Sequence, residues 1–167
     1  IMNRLVLLGT GCPAPSHKRF GPSTLLEING ERYLFDTGSG VTQRLNELGL
    51  KSSDIDLVFI THMHSDHIVD LYQLYISGWH QGRDKPFKII GPVGIKHFFT
   101  KQLESYFDEL KLRKEYEMRP NEVGLDYEII EIEDDFKLDN KNLSIKPFYV
   151  DHAPVNPAYG LSLINIS

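Results

Sequence analysis

Short apolar runs alternate with longer amphipathic segments along most of the chain. The short runs are rich in branched and aromatic residues and are bounded by Gly, Pro, Asn or Asp, which is typical of β-strands. They predict strands at residues 4–8, 23–28, 31–36, 56–61, 87–90, 127–132, 136–138, 143–150 and 159–166. Asn29-Gly30 predicts a two-residue hairpin turn between the second and third strands. We expect the first strand to be buried.

The longer segments place apolar residues three and four positions apart, which indicates helices packed on a core. One helix begins near Val41 and ends at Gly49, a second begins at Ile68, and the longest runs from Ile95 to Leu110. We expect the aromatic residues of the longest helix to belong to the core. Strands and helices alternate, and the hairpin adds antiparallel pairing, so the predicted class is α/β with a mixed sheet.

The densest group of metal-binding residue types follows the strand predicted at 56–61. His62, His64, Asp66 and His67 lie within six residues. In an extended chain residues i and i+2 share a face, so His62 and His64 converge, Asp66 continues their spacing and His67 turns elsewhere. Imidazole and carboxylate suit zinc and related cations, and the Asp-His pair can start a second site. A histidine-rich surface turn is the alternative, but the density of the cluster favours metal.

A further ligand for the two clustered histidines must come from elsewhere in the chain. His152 is the best candidate, because it ends an apolar strand and is followed by a proline-containing loop of the kind that presents ligands in α/β folds. His97 lies inside a predicted helix and is expected to be a surface or a packing residue. His17 lies in a Gly/Pro-rich loop, and His80 is expected in another loop. For both, a structural role and a pocket-lining role stay open.

This donor set predicts hydrolysis. A catalytic metal with an open coordination position generates hydroxide near neutral pH, and two cations can grip both the nucleophile and a developing oxyanion. Asp66 is placed to orient that hydroxide or to accept a proton. The reaction class is hydrolysis of an ester-like centre, which includes phosphodiesters, sulfate esters, thioesters and lactams. Asp36 ends a strand and either orients a metal-binding histidine or caps the helix that begins near Val41.

Composition sets wider limits. A chain of 167 residues with 41% hydrophobic content is expected to form one domain. No apolar stretch is long enough to cross a bilayer, so we expect no membrane association. The single cysteine, Cys12, excludes an internal disulfide and favours a reducing compartment, which predicts a cytoplasmic location. The net charge of −5 gives no general attraction to nucleic acid, although a local basic groove stays compatible with it.

Several motifs together carry a family resemblance. The segment from His62 to His67 resembles the HxHxDH signature of the metallo-β-lactamase superfamily. Further motifs agree in order along nearly the whole chain, and the set resembles the branch that holds ribonuclease Z (tRNA 3′-processing endonuclease) and arylsulfatase-like hydrolases. They are Leu8-Gly9-Thr10-Gly11, Asp36-Thr37-Gly38-Ser39-Gly40, Gly91-Pro92-Val93-Gly94, Val150-Asp151-His152 and Ala158-Tyr159-Gly160.

The resemblance implies an αββα sandwich with mixed sheets and a site for two zinc ions, with manganese or iron as alternatives. His62, His64 and His152 would hold one ion. Asp66 and His67 would hold the other, and Asp66 would also support proton transfer.

The chain also departs from the family pattern. Family members carry a later bridging aspartate in a Gly-Asp-Thr-like motif and a final histidine, and neither follows here. We therefore interpret residues 1–167 as a metallo-β-lactamase-like domain that is incomplete at its C-terminus. One sheet then lacks part of its cover, which predicts exposed apolar surface that a homodimer partner or a second chain would fill.

Three functions follow. The leading hypothesis is a zinc-dependent hydrolase of the arylsulfatase-like type, acting on a small sulfate or phosphate ester. It rests on the resemblance of Ser65 and of the segments 79–83 and 151–155 to such enzymes, and on the negative net charge. Ribonuclease Z, with tRNA as substrate, is the alternative. A non-catalytic binding or assembly module with a degenerate metal site is the second alternative.

Overall fold

The computed structural model describes residues 3–117, 121–140 and 143–165. Its strands are β1 Arg4–Gly9, β2 Ser23–Ile28, β3 Glu31–Phe35, β4 Leu57–Phe59, β5 Phe87–Gly91, β6 Tyr127–Glu131, β7 Leu138–Asp139, β8 Leu143–Tyr149 and β9 Tyr159–Asn165. Its helices are α1 Val41–Glu47, α2 Ser65–Ile68, α3 Leu71–His80, α4 Ile95–Ser105 and α5 Phe107–Glu117. Within these ranges no helix is long and apolar enough to cross a membrane. Residue 166 of the last predicted strand lies outside the described residues.

The first sheet has six strands in sequence order, β1-β2-β3-β4-β5-β6. The first three are antiparallel, and β3 to β6 are parallel. Asn29 (φ 51°) and Gly30 (φ 92°) both adopt positive φ, as the predicted two-residue hairpin requires. The predicted mixed sheet is therefore confirmed, and the carboxyl ends of β3 and β4 meet at one edge.

The two faces of this sheet build two hydrophobic clusters, because successive strand residues point to opposite sides. Leu34 and Val58 face one side, where they join buried residues of α1, α3 and α4. Phe35 and Phe59 face the other side. The sheet is thus buried on both faces, which explains why β4 is apolar at every position.

The second sheet is antiparallel, in the order β7-β8-β9, and covers the Phe35 and Phe59 face. Leu143 and Ile145 of β8 provide fully buried side chains to that cluster. Helices, first sheet and second sheet form three successive layers of the predicted αββα sandwich. The start of β9 is joined to the segment that leads from β4 to His62, because the Tyr159 N–H donates to the Thr61 carbonyl oxygen at 3.0 Å.

Apolar side chains are exposed at the edge of the first sheet and on the second sheet. Leu5 and Leu7 of β1 are 57% and 59% exposed, so the expectation of a buried first strand is wrong. The strand lies at the sheet edge, and only its alternate residues reach the core. Phe148 and Ile164 are also exposed. The predicted homodimer partner or second covering chain stays a prediction, as does the incomplete domain.

The longest predicted helix is in fact two helices. The chain leaves helical geometry at Tyr106, whose N–H donates to the carbonyl of Leu103, three residues back. The Tyr106 ring stacks on Tyr72 with a centroid separation of 3.8 Å. This stacking holds the aromatic ring at the surface, Phe107 is 65% exposed, and α5 has no buried residue. The expectation that these two aromatics belong to the core is therefore wrong.

Other boundaries also differ from the sequence prediction. The strand predicted at 56–61 is shorter, since the Thr61 N–H turns away to the Asp36 side chain. Helix begins again at Ser65 rather than at Ile68. The expected loop around His80 is the last turn of α3. The strand expected at 136–138 is displaced to Leu138–Asp139.

Candidate metal centre

Three histidine nitrogens converge at the edge where β4 ends. Nε2 of His62 lies 3.0 Å from Nδ1 of His64, and Nε2 of His152 lies 3.1 Å from the same Nδ1 atom. With one donor nitrogen taken from each side chain, the three donor atoms all lie within 4.8 Å of one another. The structure thus brings together the two histidines that share a face of the extended segment and the histidine proposed from the distant strand end.

Backbone hydrogen bonds hold the loop that carries His152 beside this edge. The Val150 N–H donates to the Ala158 carbonyl at 2.9 Å, which closes the loop between β8 and β9. The Val155 N–H donates to the His152 carbonyl at 3.1 Å, which makes a turn within the loop. His62 is buried and His152 is exposed, so the cluster opens to solvent on the His152 side.

Asp66 and His67 lie beside the three-nitrogen cluster and are not part of it. Both are in the single turn of α2, so the expectation that Asp66 continues the extended spacing of His62 and His64 is wrong. The His67 and His62 rings lie 4.0 Å apart between centroids. Nε2 of His67 lies 3.8 Å from Oδ2 of Asp66. This pair therefore borders the cluster as a second, smaller donor group.

Asp36 is buried and connects the two groups. Its Oδ2 lies 2.7 Å from Nδ1 of His67, and the Thr61 hydroxyl donates to the same oxygen at 2.8 Å. Its Oδ1 accepts the Thr61 backbone N–H at 2.8 Å. The alternative role as a helix cap is wrong, because α1 begins after Gly40, whose N–H donates to Asp70 Oδ2.

Sequence reasoning missed two threonines at this site. Thr37 is fully buried, and both its N–H and its hydroxyl donate to the His67 carbonyl, at 2.7 and 3.2 Å. The Thr61 hydroxyl also lies 2.9 Å from Nδ1 of His62. Thr61 can be identified from the parallel register of β3 with β4. This register pairs Phe35 with Phe59 and so places the residues that follow the two strands side by side.

The surroundings shift the pKa values of His62 and His67 in opposite directions. Burial, together with the neighbouring charge of His67, lowers the pKa of His62 to about 4. Burial also opposes the charged form of His67, but the hydrogen bond and charge of Asp36, with a smaller contribution from Asp66, outweigh it and raise its pKa. His62 is thus neutral at pH 7, which leaves an imidazole lone pair available to a cation.

The donor set fits a borderline cation of the zinc type. Imidazole nitrogens from three residues are a frequent donor set for catalytic zinc, and the exposed side of the cluster leaves room for a further ligand. The other three histidines considered from the sequence do not belong to this donor set. His17 and His97 are exposed, and His80 is half-buried at the end of α3.

An open groove adjoins the α2 side of the site. It has a volume of about 440 Å³ and lies between the Gly/Pro-rich loop after β1 and the start of α2. Ser16, Arg19 and Phe20 line one wall, and Ser65 and Asp66 line the other. One cationic side chain and several hydroxyl groups therefore line the same groove as Asp66.

Known proteins resemble this chain in sequence and in fold. The family described as anti-Pycsar protein Apyc1 matches residues 3–167. Ribonuclease Z of Mycolicibacterium gilvum is 33% identical over 168 residues, covering 97% of this chain and 57% of the relative. Human short-form tRNase Z is 26% identical with a TM-score of 0.78, covering 98% of this chain and 65% of that one.

The metallo-β-lactamase fold protein YhfI of Bacillus subtilis is 18% identical, with a TM-score of 0.71 over 96% of this chain and 56% of its own length. These similarities confirm the predicted fold. The chain spans 57% and 58% of the length of two mycobacterial ribonuclease Z relatives.

Proposed function

Because the chain belongs to the family described as anti-Pycsar protein Apyc1, among the metallo-β-lactamase-fold hydrolases that resemble ribonuclease Z, we propose that it is a metal-dependent hydrolase of phosphodiester bonds. The observation that carries the proposal is the convergence of His62, His64 and His152. Histidines that merely shared a surface turn would not include one from a strand end 88 residues away.

In this proposal the three converging histidines hold one cation, and Asp66 with His67 contributes to a second. A bound zinc ion would supply Lewis acidity, which favours ionisation of water near neutral pH and polarises a phosphoryl oxygen. His62 keeps a neutral donor nitrogen turned toward the site, because burial disfavours its protonated form. Zinc is the proposed metal, with manganese and iron as the other cations to test.

Asp66 is the proposed proton acceptor. It is half-buried, borders His67 and lines the open groove, so its carboxylate lies between the metal site and solvent. A carboxylate in that place can take the proton of an attacking water and release it to bulk solvent. Arg19 on the opposite wall supplies a positive charge that suits a phosphate group.

We propose phosphodiesters rather than sulfate esters as the substrate class. The sequence alone favours an arylsulfatase-like hydrolase, but proteins similar to this chain include ribonuclease Z and tRNase Z. Both names denote enzymes that act on RNA, whose backbone is a phosphodiester. An RNA substrate with a scissile phosphodiester is therefore the proposed natural class, and a sulfate ester is the alternative to be tested beside it.

The test is a set of parallel assays on the 167-residue chain loaded with zinc or manganese. Substrates are bis(4-nitrophenyl) phosphate, 4-nitrophenyl sulfate and a precursor tRNA with a 3′ trailer. We expect metal-dependent phosphodiester cleavage that falls at least about 1,000-fold in His64→Ala and Asp66→Ala. His97→Ala is the matched control, since His97 is an exposed helical histidine, and it should retain full activity.

The other outcomes identify the alternatives. Sulfate hydrolysis without phosphodiester hydrolysis would establish the arylsulfatase-like function. Cleavage of the precursor tRNA next to its discriminator base would specify ribonuclease Z activity. Less than one tightly bound metal ion per chain, with no hydrolysis of any substrate, would overturn the enzyme proposal in favour of a binding module.

A further inference from the structure

The hydroxyl group of Thr61 lies between a carboxylate and a histidine at the metal centre. Its Oγ1 is 2.8 Å from Oδ2 of Asp36 and 2.9 Å from Nδ1 of His62. The side chain is half-buried, at the point where the chain leaves β4. Its backbone is fixed on both sides, since its N–H donates to Asp36 and its carbonyl accepts the Tyr159 N–H.

A hydroxyl has one proton, and this determines the direction of both hydrogen bonds. The Asp36 carboxylate can only accept, so the Thr61 proton points to Asp36. The Thr61 oxygen must then accept from the other neighbour, which requires a proton on Nδ1 of His62. In neutral His62 the lone pair is consequently on Nε2, the nitrogen that lies 3.0 Å from Nδ1 of His64 in the cluster.

The same carboxylate oxygen determines which ring nitrogen of His67 carries the proton. Nδ1 of His67 lies 2.7 Å from Oδ2 of Asp36, so the Nδ1–H group donates a hydrogen bond to the carboxylate. In neutral His67 the lone pair is then on Nε2, the nitrogen that lies 3.8 Å from Oδ2 of Asp66. One buried oxygen atom thus acts on two histidines, directly on His67 and through the Thr61 hydroxyl on His62.

We propose that Thr61 is a positioning residue that relays the negative charge of Asp36 to His62 and so holds His62 in the tautomer that turns Nε2 toward the metal site. The inference rests on the proposed function for its biological meaning, but the tautomer itself is a property of the metal-free protein. Partners that hold the second nitrogen of a ligand histidine typically change metal affinity by about 10- to 100-fold.

Two substitutions separate this role from a structural one. Thr61→Val keeps the branched shape and the backbone hydrogen bonds but removes the hydroxyl. Thr61→Ser keeps the hydroxyl and removes one methyl group. Thr42→Val is the matched control, since Thr42 is on α1 and its hydroxyl bonds Gln43 away from the site. Urea unfolding of each metal-free variant verifies that it is folded.

The first readout is the long-range ¹H–¹⁵N spectrum of ¹⁵N-histidine protein without metal, at pH 8. His62 is assigned by its absence in His62→Ala. We expect His62 to be the Nδ1–H tautomer in the unmodified chain, Thr61→Ser and Thr42→Val, and to lose this preference in Thr61→Val. The second readout is zinc affinity by chelator competition, which should fall about 10- to 100-fold in Thr61→Val and less than about 3-fold in Thr61→Ser.

The inference is overturned if Thr61→Val keeps the Nδ1–H tautomer, or if it binds zinc as tightly as the unmodified chain. Equal loss of affinity in Thr61→Ser and Thr61→Val would also overturn it, because the hydroxyl would then not be the group that matters. Failure of the unmodified chain to bind metal would count against the proposed function alone, since the spectrum of the metal-free protein still tests the hydrogen-bond relay.

Discussion

Nδ1 of His67 lies 2.7 Å from Oδ2 of Asp36, so a buried carboxylate holds the nitrogen of His67 that is turned away from Asp66. The two residues are 31 positions apart in sequence and meet because β3 and β4 are parallel neighbours. Asp36 has a φ of 62°, and this backbone turn at the end of β3 accompanies its contacts with His67 and Thr61.

Asp36→Asn should weaken metal binding by about 10- to 100-fold. Asparagine tolerates a positive φ, so the backbone can persist. It has no negative charge, however, and its single carbonyl oxygen cannot accept all the hydrogen bonds now made by two carboxylate oxygens. Chelator competition measures the loss. Asp54→Asn is the control, because the half-buried Asp54 also accepts a backbone N–H, but from Lys51 and not from a residue of the metal site. Equal affinity in the two variants would contradict the role of Asp36.

His152→Ala should abolish the thermal stabilisation that zinc gives to the chain. A ligand that binds only the folded state at 100 times its Kd stabilises by about 2.7 kcal/mol. Since His152 is exposed, its removal should change the melting temperature of the chelator-treated protein by little. The measurement is the melting temperature with and without zinc, with His97→Ala as the control. An undiminished zinc effect in His152→Ala would exclude this residue as a ligand.

Glu27→Gln should lower stability at pH 7 by about 1 kcal/mol, and the difference should vanish in acid. Burial opposes ionisation of Glu27, but hydrogen bonds from Arg4 and Arg32 outweigh it and lower its pKa below 4.5. A lowered folded-state pKa contributes stability that is present above the unfolded value and is lost as the pH falls through the folded value. Urea midpoints of both proteins between pH 7 and pH 3 measure this. A constant difference across the range would contradict the assignment.

Gly38→Ala should destabilise the fold by about 1–3 kcal/mol and weaken metal binding as well. A Cβ atom at this position would lie 2.3 Å from the carbonyl carbon of Gly21 and 2.4 Å from the nitrogen of Pro22. Both are backbone atoms, so the loop itself must move, and with it Thr37, which holds the His67 carbonyl. Urea unfolding and zinc competition give the two effects. Ser39→Ala is the control, because Ser39 is the exposed neighbour of Gly38, and it should leave both the stability and the zinc affinity unchanged.

The strands and the convergence of His62 with His64 were predictable because they depend on local pattern. Short apolar runs located β2 and β3, Asn29-Gly30 located the turn between them, and the spacing of His62 and His64 in an extended segment predicted that their side chains converge. His152 was found from its place at a strand end, because sheet edges collect the ends of several strands. The roles of these residues in binding metal are still predictions.

The features that sequence reasoning missed depend on tertiary contacts. The long helix is interrupted at Tyr106, whose ring stacks on Tyr72, and no periodicity in the sequence reveals this contact. Asp66 left the extended spacing because α2 begins one residue before it. The contact between the Thr61 hydroxyl and His62 requires knowledge of which strand lies beside β4. Local sequence specifies the donor types at this site, whereas the neighbours that orient them come from sheet topology.

The hydrogen bond from the Tyr159 N–H to the Thr61 carbonyl has a consequence for the timing of folding. His64 and His152 are 88 residues apart, and their approach depends on docking of the second sheet at the end of β4. Contacts of such long sequence separation form slowly, since loop closure precedes any gain from them. During refolding, metal binding by all three histidines should therefore follow the docking of the second sheet on the first. A metal-sensitive signal would then report the rate of this last long-range folding step.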